Sequence, residues 1–498
     1  MSEFIIWILL LSIWNVILFY GKSFGVSVIL FMIPLLIYLF IFLKKNKKIN
    51  NKKGLLFMIP IVLLSISYLI FSSSLFSVLN IPAIIILFLL MYVYTIKPTY
   101  KFFDLFEKSI CLLFEPLSFI GRFFRVATSK ISNKLKMSEK TKKIFISILI
   151  VIPILLVVIL LLSQADLIFA DIFDNIFDKI YDFLDKYLFN NIIGRVISFI
   201  IVFFLIGCTS MYLLYTYPKK ENEVKSVEKK RDLYTIKILV TALNIIYIIF
   251  DFIQVKSLIF HSVAASINYA EYARRGFFEL MFVSIINLAV ILIAKKFETK
   301  SNKKEFKYIN VMNIIMVLLT LIIIVSSFLR MYMYECAYGY TILRLLVYVA
   351  LITETIMMIP TSMYIFNSEF NIFKSYMIIM VVVYTLINFI NIDYVIARRN
   401  VDKYYTDGKI DVFYLMNGET DNIPVLIELY NKTDNKNNKI LLQDYFCDVI
   451  ENNKAESIFE FNLSRYLNVK RLEKFDNEES RVRRFMPIDW DKDYSEEE

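Results

Sequence analysis

The chain has 498 residues, 58% of them hydrophobic and 16% aromatic, with a formal charge of +10. A water-soluble domain averages roughly 45–50% apolar residues, so the excess excludes an ordinary globular enzyme in water and calls for a bilayer as solvent. The Lys and Arg residues sit mainly in loops flanking apolar runs, where they orient a membrane protein; no nucleic-acid partner is expected. Cys111, Cys208, Cys336 and Cys447 form no CxxC, and His261 is the single histidine, so neither a disulfide framework nor a zinc site is expected, and no cofactor. Ten Gly and ten Pro favour long uninterrupted helices over a β-barrel. Glu3 and the lack of a basic n-region mark the first apolar run as a retained helix.

A helix needs roughly 20 residues to cross a hydrocarbon core, with about 17 a working minimum. By that measure the spans are 4–20, 24–43, 55–71, 75–96, 144–163, 192–217, 234–256, 276–296, 308–330, 341–366 and 376–392, about eleven in all. Lysines crowd the linkers 44–53, 97–143, 218–233 and 295–307, which the positive-inside rule places in the cytoplasm. The N-terminus is then inside, and residues from 393 onward fall outside. Four segments follow: a four-helix membrane segment (1–96), an amphipathic and basic cytoplasmic linker (97–143), a seven-helix core (144–392) and a soluble helical domain (393–498).

Two linkers are amphipathic. Over 102–127, apolar residues from Phe103 to Ala127 recur every three or four positions, opposite Asp104, Lys108, Glu115, Arg122 and Arg125. This is a helix on the inner membrane face, kinked at Pro116, either sensing lipid or packing on the bundle. Over 165–188 the acids Asp166, Asp171, Asp174, Asp178, Asp182 and Asp185 form a stripe, which reads as a solvated face more than as a cation site.

Ionisable groups inside spans are costly and mark candidate sites. Asp251 lies in the outer part of its helix; Glu271, Arg275 and Glu279 follow at i, i+4, i+8, with Arg274 beside them. Arg330 ends the ninth span, Glu335 and Tyr338 follow, and Arg344 opens the tenth; Asn388 and Asn391 close the eleventh, before Arg398, Arg399 and Asn400. All of these fall at the outer membrane level, whereas Glu354 is buried mid-span. Three readings stand: local pairing of helix ends, a site for an anionic lipid or envelope polymer held by Arg forks, and catalysis by a carboxylate such as Glu271, Glu279 or Glu335. No G-x-S-x-G, HExxH or Walker pattern is present, and no catalytic residue is assigned.

The blocks INYAEYARRGFFELMFVSIINL (267–288), LRMYMYECAYGYTILRL (329–345) and NIDYVIARRNVDKYYTDGKIDVFYL (391–415), with FNLSRY (461–466), resemble a bacterial polytopic membrane family catalogued as domain of unknown function 4173, a relative of the one numbered 4153. The resemblance covers roughly residues 235–465 and implies a multi-pass membrane protein with no established activity.

Beyond 393, helices are expected at 394–406, 410–416, 421–431, 438–453 and 455–475, with Asp421 as a cap and Cys447 buried. A module of this size reads as a binding surface for a protein partner. The leading expectation is a non-enzymatic cell-envelope binding, signalling or scaffold protein with the Arg/Glu site at the outer face. A transporter using Asp251 and Glu354, and a membrane-embedded enzyme acting on lipid-linked material, are the alternatives.

Overall fold

The computed structural model describes residues 2–96, 115–127, 192–215, 233–259, 277–297, 303–408, 410–452 and 457–473. Among them the chain is all-α, with helices joined by short turns and no strand. The cause is the solvent that the composition implies. In hydrocarbon each backbone N–H and C=O needs a partner within its own segment, and a helix supplies one. Pro34, Pro82 and Pro360 are taken up inside helices, as bilayer spans tolerate.

Seven helical segments are long and apolar enough to cross a membrane: Val26–Lys45, Lys52–Ile70, Ser74–Thr95, Gly194–Tyr215, Ile236–Gln254, Lys307–Tyr338 and Ile342–Phe366. A bent pair, Ile372–Ile387 and Ile392–Asp407, meets at 62° and makes up to an eighth. Helices occupy ten of the eleven expected span positions, and the remaining one, 144–163, lies outside the described residues. Two of the ten fall short as spans. The apolar stretch Phe4–Phe19 gives about 24 Å of helix, less than a ~30 Å core. The helix Phe277–Phe297 carries Glu279 in its first turn and Lys295 and Lys296 in its last. Outward faces confirm the solvent: Ile245, Ile246, Ile249 and Phe252 are 54–72% exposed on one helix, an arrangement that suits lipid tails and not water.

The chain divides into two compact units, Met1–Glu223 with Asn453–Leu467, and Val224–Asn452 with Asn468–Glu498. In the first, α1 (Ser2–Phe19), α2 (Val26–Lys45), α3 (Met58–Ile70), α4 (Ser74–Ile96) and α6 (Ile192–Tyr215) form a bundle, with α5 (Ile120–Ala127) laid on α6. Tyr38 and Ser210 share a buried hydrogen bond of 2.7 Å between α2 and α6. Of the amphipathic stretch 102–127, residues 115–127 are described. They turn at Pro116 in the 3-10 segment Glu115–Phe119 and bury Phe123 against Phe203, Phe204 and the bare face of Gly207. The bundle itself covers this part of the apolar face. The acidic stretch 165–188 lies outside the described residues. A cavity of about 570 Å³, lined mostly by apolar side chains such as Phe31, Ile84, Phe88 and Leu205, opens among α2, α4 and α6.

Part of the FNLSRY block closes the same unit. Asn462 Nδ2 donates to the carbonyls of Tyr68 (2.9 Å) and Phe71 (2.7 Å) at the end of α3. The Val26 N–H donates to the Phe461 carbonyl at 2.9 Å. Gly25 permits this approach, since a Cβ there would stand 2.6 Å from the Glu460 carbonyl oxygen.

In the second unit, α7 (Leu233–Ile259), α8 (Phe277–Phe297) and α10 (Ile342–Phe366) pack around the 36-residue α9 (Lys303–Tyr338), and α11 (Ile372–Ile387) packs on α10. Val240, Leu288, Ile291, Met316, Ile324 and Leu351 fill this core. A second core joins α12 (Ile392–Asp407), α13 (Val412–Met416), α14 (Ile423–Lys432) and α15 (Lys436–Asn452) through Val401, Leu415, Leu426 and Phe446. Leu472, at the end of α16 (Leu463–Leu472), belongs to it too. The last expected helix, 455–475, therefore begins late, at Leu463. Asp421 does not cap α14: it lies in the 3-10 turn Thr420–Asn422, and no side chain caps the helix, whose first turn opens with Pro424. Cys447 is 1% exposed.

Candidate functional site

Helical spacing places polar residues of α7 to α10 on stripes that face one another. On α7, Asn244, Asp251 and Gln254 stand at i, i+7, i+10; on α9, Asn313, Thr320 and Ser327 repeat every seven residues; on α8, Ser284 and Asn287 are one turn apart. All eight are at most 5% exposed. Separate hydrogen bonds fall at successive levels along α9, which together are called the file. At its lower end Lys295 Nζ donates to Asn310 Oδ1 (2.9 Å) and to the Ile365 carbonyl (2.6 Å). Next, Asn244 Nδ2 donates to the Met312 carbonyl at 2.9 Å, beside Asn313. Then Asn287 Nδ2 donates to Thr320 Oγ1 at 3.0 Å, and one turn along α8 the Ser284 hydroxyl meets Glu354 Oε2. Higher still, Gln254 Oε1 accepts from Ser326 Oγ (3.1 Å) and Arg330 Nη2 (2.8 Å), and at the top Tyr348 donates to Glu335 Oε2 at 2.7 Å. From Asn310 to Glu335 the rise along α9 is about 37 Å, the full thickness of a hydrocarbon core.

Several atoms in the file are buried without a hydrogen-bond partner: Asn244 Oδ1, both oxygens of Asp251, Asn287 Oδ1, and both Oδ1 and Nδ2 of Asn313. Leaving such a group unpaired costs about 1–3 kcal/mol, more in a membrane. Apolar side chains would fit these positions more cheaply. Orphaned groups inside a bundle suit ordered water or a small polar solute.

The expected outer-face residues meet different fates. Glu335, 5% exposed, is faced by the charges of Arg344, Arg399 and Lys403. Arg344 folds back to donate to the Gly339 carbonyl and lies 4.2 Å over the Tyr334 ring. Tyr338 is exposed and packs on Tyr334 at 5.0 Å. Arg330 belongs to the file through Gln254. Arg398 leaves the cluster altogether, bonding Glu428 at 2.5 Å and Asp402 at 3.2 Å. The hydrogen bond from Lys432, with a further one from Arg398, holds Glu428 below the usual carboxylate range against its partial burial. Asn391 caps α12 by accepting from the Tyr394 N–H at 3.0 Å. Glu279 is exposed on α8, while Glu271, Arg274 and Arg275 lie outside the described residues. Asp251 and Glu354 stand in the file. Its Asn, Ser and Thr members were missed because they carry no charge, although their seven-residue recurrence through apolar spans was visible.

Such an architecture, apolar outside and polar along one internal line, defines a polytopic α-helical membrane protein. The chain belongs to the family described as Domain of unknown function (DUF4153), which matches residues 58–429, about three quarters of its length. That is the relative numbered 4153 of the resemblance drawn from the sequence blocks. The match also takes in α3 and α4, which read in sequence as hydrophobic and nothing more. No curated protein and no solved structure gives a significant match.

Proposed function

We propose that the protein is permease-like, its C-terminal unit carrying a small polar or ionic solute along the file of α7 to α10. The observation that carries this is the set of buried, orphaned polar atoms on Asn244, Asp251, Asn287 and Asn313, which covers about 10 Å of rise along α7 and lies within the longer series of buried polar residues from Asn310 to Glu335. The test replaces the four native cysteines by alanine, adds Asn313→Cys or Thr320→Cys in the full chain, and exposes reconstituted protein to a small hydrophilic methanethiosulfonate. Both positions are expected to react, while lipid-facing Ile249→Cys does not. Silence at both file positions would overturn the path.

A second reading rests on the turn between α9 and α10, where three cations face the single buried carboxylate of Glu335. Lys403 also pairs with Asp407 at 3.9 Å, and the remaining positive charge of Arg344 and Arg399 suits an anionic lipid headgroup or envelope polymer, with α12 to α15 as a module for a protein partner. Arg399 is exposed on α12 and is the residue to replace. Arg399→Gln should weaken retention of anionic lipid measured by native mass spectrometry without loss of folding.

The proposed setting is a bacterial cytoplasmic membrane, with the N-terminus inside and α12 to α15 outside. The lysine-rich linkers support this orientation. Membership of the related family numbered 4173 is likewise proposed, on the sequence blocks.

A further inference from the structure

Resting on the path reading, we infer that the solute is the proton, and that the Glu354 carboxyl on α10 is its membrane-centred binding station, with Asp251 on α7 as a second acid of the same file.

The hydrogen-bond count at Ser284 carries this inference. Its Oγ lies 2.7 Å from the Met281 carbonyl and also meets Glu354 Oε2. A serine hydroxyl holds one proton, so it satisfies one of two acceptors. With Glu354 ionised, one of these contacts is oxygen against oxygen with no hydrogen between. With Glu354 protonated, its O–H donates to Ser284 Oγ, and the Ser284 O–H donates to the Met281 carbonyl. Both close contacts are then hydrogen bonds. The geometry is that of a carboxylic acid holding a proton about mid-helix in a span.

Burial points the same way. Glu354 is 6% exposed, and among the described residues the Ser284 hydroxyl is its one hydrogen-bond partner. Ionisable groups on the helices packed against α10 include Glu279 and Lys295 on α8, Arg330 and Glu335 on α9, Tyr376 and Tyr384 on α11, and Asp393 and Arg399 on α12. None of them forms an ion pair or hydrogen bond with Glu354. Asp251 is 4% exposed with both oxygens unpartnered. A buried carboxylate needs a counter-charge, and a proton supplies it without further ligands. A dehydrated metal cation takes about six oxygens converging on one point, whereas Asp251 and Glu354 sit on separate helices and share no partner. A bulky solute would have to part the packed Ile291, Met316, Ile324 and Leu351; a proton needs only a chain of donors and acceptors. In each transfer a proton from water adds to a carboxylate oxygen, and the same O–H bond later breaks to return it to water on the other side, so no other reactant is consumed.

Dicyclohexylcarbodiimide provides the test, because it is apolar and adds to carboxylic acids that still hold their proton within a membrane. The full-length native protein in nanodiscs is treated between pH 6 and 9, and peptides are read by mass spectrometry. Modification at Glu354 is expected, falling as pH rises. In proteoliposomes loaded with pyranine, a potassium diffusion potential should drive proton entry, and carbodiimide treatment should reduce it to that of empty vesicles. Glu354→Gln should do the same, and Asp251→Asn should slow entry. The carbodiimide measurement needs no variant and stands even where a variant fails to fold. Glu354 unreactive at every pH, or modified with no proton entry in the untreated protein, would overturn the inference. If the file cysteines still react in that case, the path survives with another solute; if they are silent, the path reading fails first.

Discussion

Gly339, Tyr340 and Asn400 show how one side chain fixes a turn between two membrane helices. Gly339 holds φ at +79°, a conformation that favours glycine, and reverses the chain after α9. Asn400 on α12 accepts from the Tyr340 N–H at 2.8 Å and donates to the Tyr340 carbonyl at 2.9 Å, so it replaces the partners that a helix would have supplied. A Cβ on residue 339 would stand 2.6 Å from Asn400 Oδ1. Asn400→Ala should therefore cost about 1–3 kcal/mol by stranding two backbone groups. Thermal unfolding in detergent should show the drop, with Asn400→Asp, which keeps the acceptor and loses the donor, falling between. The cost disappears only if water fully replaces the amide.

At the scale of the element, α7 to α10 carry two patterns at once. An apolar pattern makes α7, α9 and α10 long enough to span, and polar residues seven apart on α7 and α9 give the inner line. The second conflicts with stability, since Asn313 lies 0% exposed with both side-chain atoms unpartnered. Asn313→Leu removes both orphans at similar volume. It should leave the unfolding midpoint unchanged or raise it, while closing the file and removing flux. Lower stability with intact flux would show that Asn313 serves packing alone. Element positions were legible because a run of about 20 apolar residues is a local property, insensitive to what packs against it. Whether a charged residue at a helix end is free was not legible, because that depends on helix rotation and register. Arg330, Arg344 and Arg398 look alike in the sequence, yet the first enters the file, the second folds on its own turn, and the third serves the second core.

Across the whole molecule, the 62° bend between α11 and α12 decides sidedness. If α11 crosses, α12 to α15 lie on the side opposite to the one where α11 begins; if it re-enters, they lie on the side where α11 began. Cys447 is buried and unsuited to report this, whereas Asn437 is exposed on α15. Asn437→Cys, as the only cysteine in the full chain, should react with an impermeant maleimide on intact cells. Reaction only after permeabilisation would make α11 a re-entrant element or change the count of spans before it.

The sequence alone determined the solvent, the helical class and the positions of the membrane helices, because hydropathy and the need to satisfy the backbone act along the chain. Only the tertiary structure decided that the FNLSRY block clamps α2 and α3, and that uncharged Asn, Ser and Thr residues are buried beside α9 in the same bundle as Asp251 and Glu354. Those outcomes depend on which faces meet across helices distant in sequence. A single residue's chemistry does not carry that information, and packing does.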